Sequence, residues 1–142
     1  MDINQRYFNM LNMFVTEGAI YYLHYTLIHF GYPDKPMHFA VSTSNLKIGA
    51  TRAFFNPCTS QLRNDNSKGV FTFNLNEGIR SNDKKYKTTY VLLSLSRCVK
   101  LVDFTKTDYC IYKGRMKVET LSLYRKAKKE FIRSQHIHRG KK

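Results

Sequence analysis

The feature that most constrains this chain is an alternation between Val91 and Leu101. The odd positions read Val91, Leu93, Leu95, Arg97, Val99 and Leu101; the even positions from Ser94 to Lys100 read Ser94, Ser96, Cys98 and Lys100. A period of two belongs to strands with one buried and one wetter face. The apolar residues do not recur at three and four, so a single buried helix is excluded. The surrounding run, Tyr86 to Tyr112, is rich in Tyr, Val and Thr, which fit a pleated surface. It is too long for one strand. Lys106-Thr107-Asp108 is the best turn within it, with Ser96-Arg97 a second bend. The run therefore predicts two or three consecutive antiparallel strands whose odd-numbered residues fill a core. Arg97 interrupts that face and marks either the sheet's rim or a buried cation with a partner.

The rest of the chain supplies helices and shorter strands. Ile3, Tyr7, Met10, Leu11, Phe14, Gly18, Tyr21, Tyr22, Tyr25 and Ile28 follow steps of three and four, which predicts a helix or helix pair over 3–29. Asp2 can cap its start, Gly18 can split it, and Gly31 and Pro33 end it. Its Tyr/Phe stripe reads as core. His38 to Ser42 and Leu46 to Phe55 alternate and predict a hairpin, with Asn56-Pro57 breaking the second strand. Val70 to Leu75 predicts another strand, between polar loops at 59–69 and 76–85. Lys113-Gly114 reads as a turn. Val118 to Ser134 holds good helix formers without Pro or Gly, and Leu121, Tyr124, Ala127 and Phe131 form an apolar line along it. The expected fold is α+β: an N-terminal helix or helix pair, an antiparallel sheet of about five to seven strands and a basic C-terminal helix. Residues 1–135 read as a single domain and 136–142 as a basic tail.

Charge carries the functional signal. The 142 residues bear a net charge of +14, which attracts polyanions. Residues 113–142 hold 11 Lys or Arg against 2 acidic residues, a net +9, whereas the other 112 residues carry +5. On the C-terminal helix Arg125, Lys129 and Arg133 recur at steps of four, widened by Lys126 and Lys128. Like charges at that spacing repel and cost helix stability unless something neutralises them. This predicts a nucleic-acid-binding or nucleoprotein-structural protein that contacts phosphate, DNA or RNA, through Arg125, Lys126, Lys128, Lys129, Arg133, Arg139, Lys141 and Lys142. Such contacts position a protein without reading sequence. The alternative partner is an acidic protein or a larger assembly. The richness in Asn, Lys, Tyr and Ile fits an AT-rich genome, such as a viral one.

No stretch approaches 18 uninterrupted apolar residues, so no membrane span is expected. The start, Met-Asp-Ile-Asn, has no secretory pattern. Three widely spaced cysteines, Cys58, Cys98 and Cys110, argue for a reducing compartment rather than a disulfide framework. The expected location is intracellular, cytoplasmic or nuclear, or a virion.

Catalytic motifs are sparse, and no enzyme activity, cofactor or metal is expected. There is no phosphate-cradling Gly-rich loop, no Cys-x-x-Cys and no His-Glu-x-x-His. His136 and His138 with Cys98 and Cys110 lack finger spacing for zinc. Lys47-Ile48-Gly49-Ala50-Thr51 resembles the second half-motif of GIY-YIG nucleases. That resemblance implies a two-stranded hairpin with Arg52 as the family's Arg, and makes a small nuclease the further alternative function. It departs from the family at Phe39-Ala40-Val41, which has no Gly or Tyr, at Lys47, where the second Tyr belongs, and at Glu77, which falls in a loop. Ser42-Thr43-Ser44 resembles the Ser-Thr-Ser segment of ADP-ribosyltransferases, without the family's preceding strand Arg or later Glu pair.

Overall fold

The computed structural model describes residues 3–61, 69–75 and 88–140, except the side chains of Asn4 and of residues 136–140. In chain order the elements are α1 (Ile3–Leu11), β1 (Ala19–His24), α2 (Tyr25–Ile28), β2 (Met37–Ser42), β3 (Arg52–Thr59), β4 (Val70–Asn74) and β5 (Thr88–Leu92). Then come β6 (Arg97–Lys100), a 3-10 turn at Leu101–Thr105, β7 (Cys110–Arg115) and α3 (Val118–Gly140). The α+β expectation is met, with a seven-stranded antiparallel sheet ordered β4-β5-β3-β2-β1-β7 and β6 added beside β3. No described helix is long and apolar enough to cross a membrane.

The sheet carries a hydrophobic core on each face. Tyr21 and Leu23 of β1, Ala40 of β2 and Ala53 and Phe55 of β3 join Phe8, Leu11, Val15, Ile28, Val99, Leu101 and Phe104 in one core. Ile20, Val41 and Cys58 point the other way, into a second core with Phe71, Phe73, Val91, Leu93, Met116 and Tyr124. This corrects the helical expectation for 3–29, of which only Ile3–Leu11 and Tyr25–Ile28 are helical. A strand covered on both faces loses its polar alternation and reads as a continuous apolar run. Ala19-Ile20-Tyr21-Tyr22-Leu23 is such a run. The Tyr/Phe stripe divides accordingly: Tyr21 is buried, whereas Phe14 is exposed.

Three further expectations change. The hairpin partner of β2 is β3, but it starts at Arg52, so 43–51 is a connection rather than strand. Lys47–Thr51 therefore lies outside the strand that the nuclease resemblance requires. Pro57 sits inside β3 instead of breaking it. Residues 52–55 pair with β6 and 58–59 with β5, so no ladder residue on that side faces Asn56 or Pro57. Proline is tolerated where a ladder is interrupted. Lys113-Gly114 is not a turn but part of β7. The register with β1 slips between Ile20↔Gly114 and Tyr21↔Tyr112, and Gly114 takes φ 132° at this bulge.

The run from 88 to 115 does form three strands, with Val91, Leu93, Val99 and Leu101 buried as expected. The strands do not pair with one another. β5 joins β4 and β3, β6 joins β3, and β7 crosses to β1. Arg97 is half-buried, and its Nε is buried without a hydrogen-bond partner among the described residues. The Asp2 cap and the polar segments 62–68 and 76–87 lie outside the described residues.

Candidate nucleic-acid interface

Helix α3 carries most of the cationic side chains, and its own sequence explains how it is seated. Glu119 in the first turn complements the positive end of the helix dipole. Leu121, Tyr124, Ala127 and Phe131 then recur at helical spacing and pack into the second core. Two glycines let the helix lie close. A Cβ on Gly18 (φ 85°) would stand 2.8 Å from Leu121 Cδ1, and one on Gly69 (φ 67°) would stand 2.5 Å from Phe131 Cε2. Any side chain at either position would collide with the helix and would also adopt a left-handed backbone that only glycine takes without strain.

Between these points Tyr124 is fully buried. Its ring lies 5.5 Å from that of Phe71, and its hydroxyl donates to Asn56 Oδ1 at 2.5 Å. The Asn56 amide donates in turn to the Leu95 carbonyl at 3.1 Å. Burial pushes the Tyr124 hydroxyl pKa well up, so it remains a proton donor.

The cations of α3 fall into two groups. Arg125, which is exposed, and Lys128, which is half-buried, reach Glu17 on the loop before β1. Arg125 Nε donates to Glu17 Oε1 at 2.5 Å, and Lys128 Nζ donates to Glu17 Oε2 and to the Thr43 carbonyl at 2.6 Å. The Lys128 ammonium also lies 4.3 Å from the centre of the Tyr124 ring. Burial alone would raise the Glu17 carboxyl, but its hydrogen bonds to Lys128 and Arg125 outweigh this and hold it below its ordinary value. Lys126, Lys129 and Arg133 are exposed and form no ion pair among the described residues. The backbone of Arg139 continues α3, which runs through the segment expected as a tail as far as Gly140; its side chain, Lys141 and Lys142 lie outside the described residues.

Glu17 thus ties α3 to the sheet by a mixed hydrogen-bonded ion pair. Replacing it with Gln should lower stability by about 1–2 kcal/mol, because the partly buried Lys128 loses its counter-charge while the pair to exposed Arg125 is screened by solvent and adds little. A carboxyl held below its unfolded value of about 4.5 contributes stability above that pH and loses it as pH falls through the folded value. Thermal melts of the wild type and Glu17→Gln should therefore differ fully at neutral pH and converge in acid. Equal melting temperatures at neutral pH would show that the contact is energetically idle.

The remaining candidate residues lie apart from this helix. Arg52 opens β3 on an exposed face, with its Nη1 donating to Cys98 Sγ at 3.6 Å. Ser42 is buried with its hydroxyl donating to the Ser44 carbonyl, and Thr43 Oγ1 donates to the Phe54 carbonyl. These are local backbone bonds, as expected of Ser and Thr near a strand end. Cys58 is buried and its thiol pushed up; Cys110, half-buried, is pushed up to about 12 by burial and by Asp103. Both are held in the thiol form at neutral pH. Among the described residues no three His, Cys, Asp or Glu side chains gather as a metal site; the side chains of His136 and His138 are outside that set.

No protein-family model matches the sequence, and no curated protein is similar to it. Among solved structures the chain is similar to MazE-MazF (Form-II) from Deinococcus radiodurans, with a TM-score of 0.54 at 13% identity, covering 82% of this chain and 93% of that one. The likeness is one of fold.

Proposed function

We propose that this protein binds nucleic acid through its phosphate backbone, using the outward cations of α3. The observation that carries the proposal is the division on that helix. Arg125 and Lys128 share the Glu17 carboxylate, whereas Lys126, Lys129 and Arg133 stand exposed and without an ion pair among the described residues, within two turns of each other. Fixed cations that repel one another on a rigid helix gain most from a polyanion, which neutralises them and releases counterions. Arg139, Lys141 and Lys142 would extend the same contact from the end of the helix. The fold likeness to MazE-MazF is compatible with this reading but assigns no ligand.

The test is binding of a labelled oligonucleotide of about 20 residues across a salt series. Log affinity should fall linearly with log salt, with a slope of about −0.7 to −0.9 per phosphate neutralised. Negligible binding at low salt would end the proposal. Gel analysis of the same oligonucleotide with Mg²⁺ or Mn²⁺ separates a binder from a nuclease.

A second reading, an acidic protein partner, is favoured by a surface beside β7. There Met13, Phe14 and Tyr112 are exposed beside the edge strand β7, with Lys113 and Arg115 on that strand. An apolar patch with a cationic border suits an amphipathic acidic segment. Absence of oligonucleotide binding would leave this reading in place.

A further inference from the structure

A second cationic feature lies on the sheet, where β3 meets β6. Arg52 and Lys100 are direct ladder partners, both exposed. Like charges directly opposite one another on a sheet repel. No ion pair relieves them among the described residues. Asp103, the nearest acid in sequence, is paired with Lys106 at 3.4 Å. The two cations border a shallow depression of about 190 Å³ that is completed by Thr51 and Val102.

One pleat along β3 stands Phe54, 47% exposed, although its neighbours Ala53 and Phe55 are buried in the first core. Residues two apart on a strand share a face about 7 Å apart, so Arg52 and Phe54 present a cation and an open aromatic ring side by side. Across the ladder, Phe54 is opposed by the small Cys98, which leaves the ring uncovered. Thr43 holds the Phe54 backbone with its N–H at 3.0 Å and its hydroxyl at 3.3 Å, and the Thr43 carbonyl accepts Lys128. The ring is therefore mounted on fixed backbone, linked through Thr43 to the anchored side of α3.

We propose that Arg52, Lys100 and Phe54 form a nucleotide subsite. The phosphate lies between the two cations and the base stacks on Phe54. The proposal rests on the nucleic-acid reading above and adds an unpaired base to it, because a base within a duplex cannot offer its face to a side chain. Stacking platforms beside cations are the usual means of holding single strands.

The chain contains no tryptophan, so Phe54→Trp introduces a unique fluorophore at the platform. This variant is titrated with a thymidine tetranucleotide, with an abasic tetramer of equal charge, and with inorganic phosphate. The expected result is saturable quenching by the tetranucleotide, with roughly tenfold weaker binding of the abasic chain and weaker binding still of phosphate. Arg52→Gln combined with Lys100→Gln in the same background should weaken both oligomers, with the melting temperature kept or raised by relief of the repulsion.

Equal binding of the abasic chain or of phosphate would overturn the nucleotide assignment. No quenching, while the 20-residue oligonucleotide still binds the wild type with steep salt dependence, would overturn this subsite and leave the α3 reading standing. Failure of both would remove the two together.

Discussion

Truncating Tyr124 to alanine is expected to destabilise the protein by about 4 kcal/mol, within the range for removing a large buried ring. For a chain of this length that corresponds to a melting temperature lower by roughly 12 °C or more. The ring fills the space between α3 and the sheet against Phe71, and its hydroxyl satisfies Asn56. Tyr124→Phe separates the two contributions. It keeps the packing and leaves the Asn56 side-chain oxygen without its donor, at a cost of about 1–3 kcal/mol for a buried polar group left unsatisfied. Circular dichroism melts of the three proteins measure both numbers. If Tyr124→Ala melts with the wild type, α3 is not held by this residue.

The second large effect concerns affinity. Changing Lys126, Lys129 and Arg133 together to Gln should weaken oligonucleotide binding roughly 100-fold or more at about 50 mM salt and flatten the log-log salt slope by about 2 to 3. Stability should hold or rise slightly, since Lys126–Lys129 and Lys129–Arg133 are like-charge neighbours on one helix face. Lys128→Gln should behave in the opposite way. It gives up the bonds to Glu17 and Thr43, so it should lower the melting temperature while changing affinity little. Anisotropy titrations and melts on both variants distinguish a binding cation from an anchoring one. Unchanged affinity in the triple variant would mean that the charge of α3 serves something other than nucleic acid.

Helix α3 was legible in the sequence because its apolar line and its cations are both local patterns at helical spacing. The strands between 88 and 101 were legible for the same reason, at a period of two. β1 was not, since a strand buried on both faces shows no alternation, and Tyr and Leu also fit steps of three and four. Pro57 misled because a strand that changes partners can hold a proline. Within the candidate site, the division of the α3 cations depends on Glu17, more than 100 residues away along the chain. No local pattern announces such a partner. Arg52 entered the sequence reading only through a resemblance. Its pairing with Lys100 and the exposure of Phe54 are matters of register between strands distant in sequence.

The divided pairing of β3 has a consequence for the order in which the molecule can assemble. β1, β2 and β3 follow one another as a meander, and β4 and β5 form their own antiparallel pair. β6 must then return to the half of β3 that β5 leaves open, and β7 must travel to the far side of β1. Each of these last closures joins segments distant in sequence, so its entropy is spent before its contacts form. The meander can therefore form early, while the slots for β6 and β7 stay open. α3 packs on residues from β1 to β5, so its seat is ready once those five strands have joined, before β6 and β7 close.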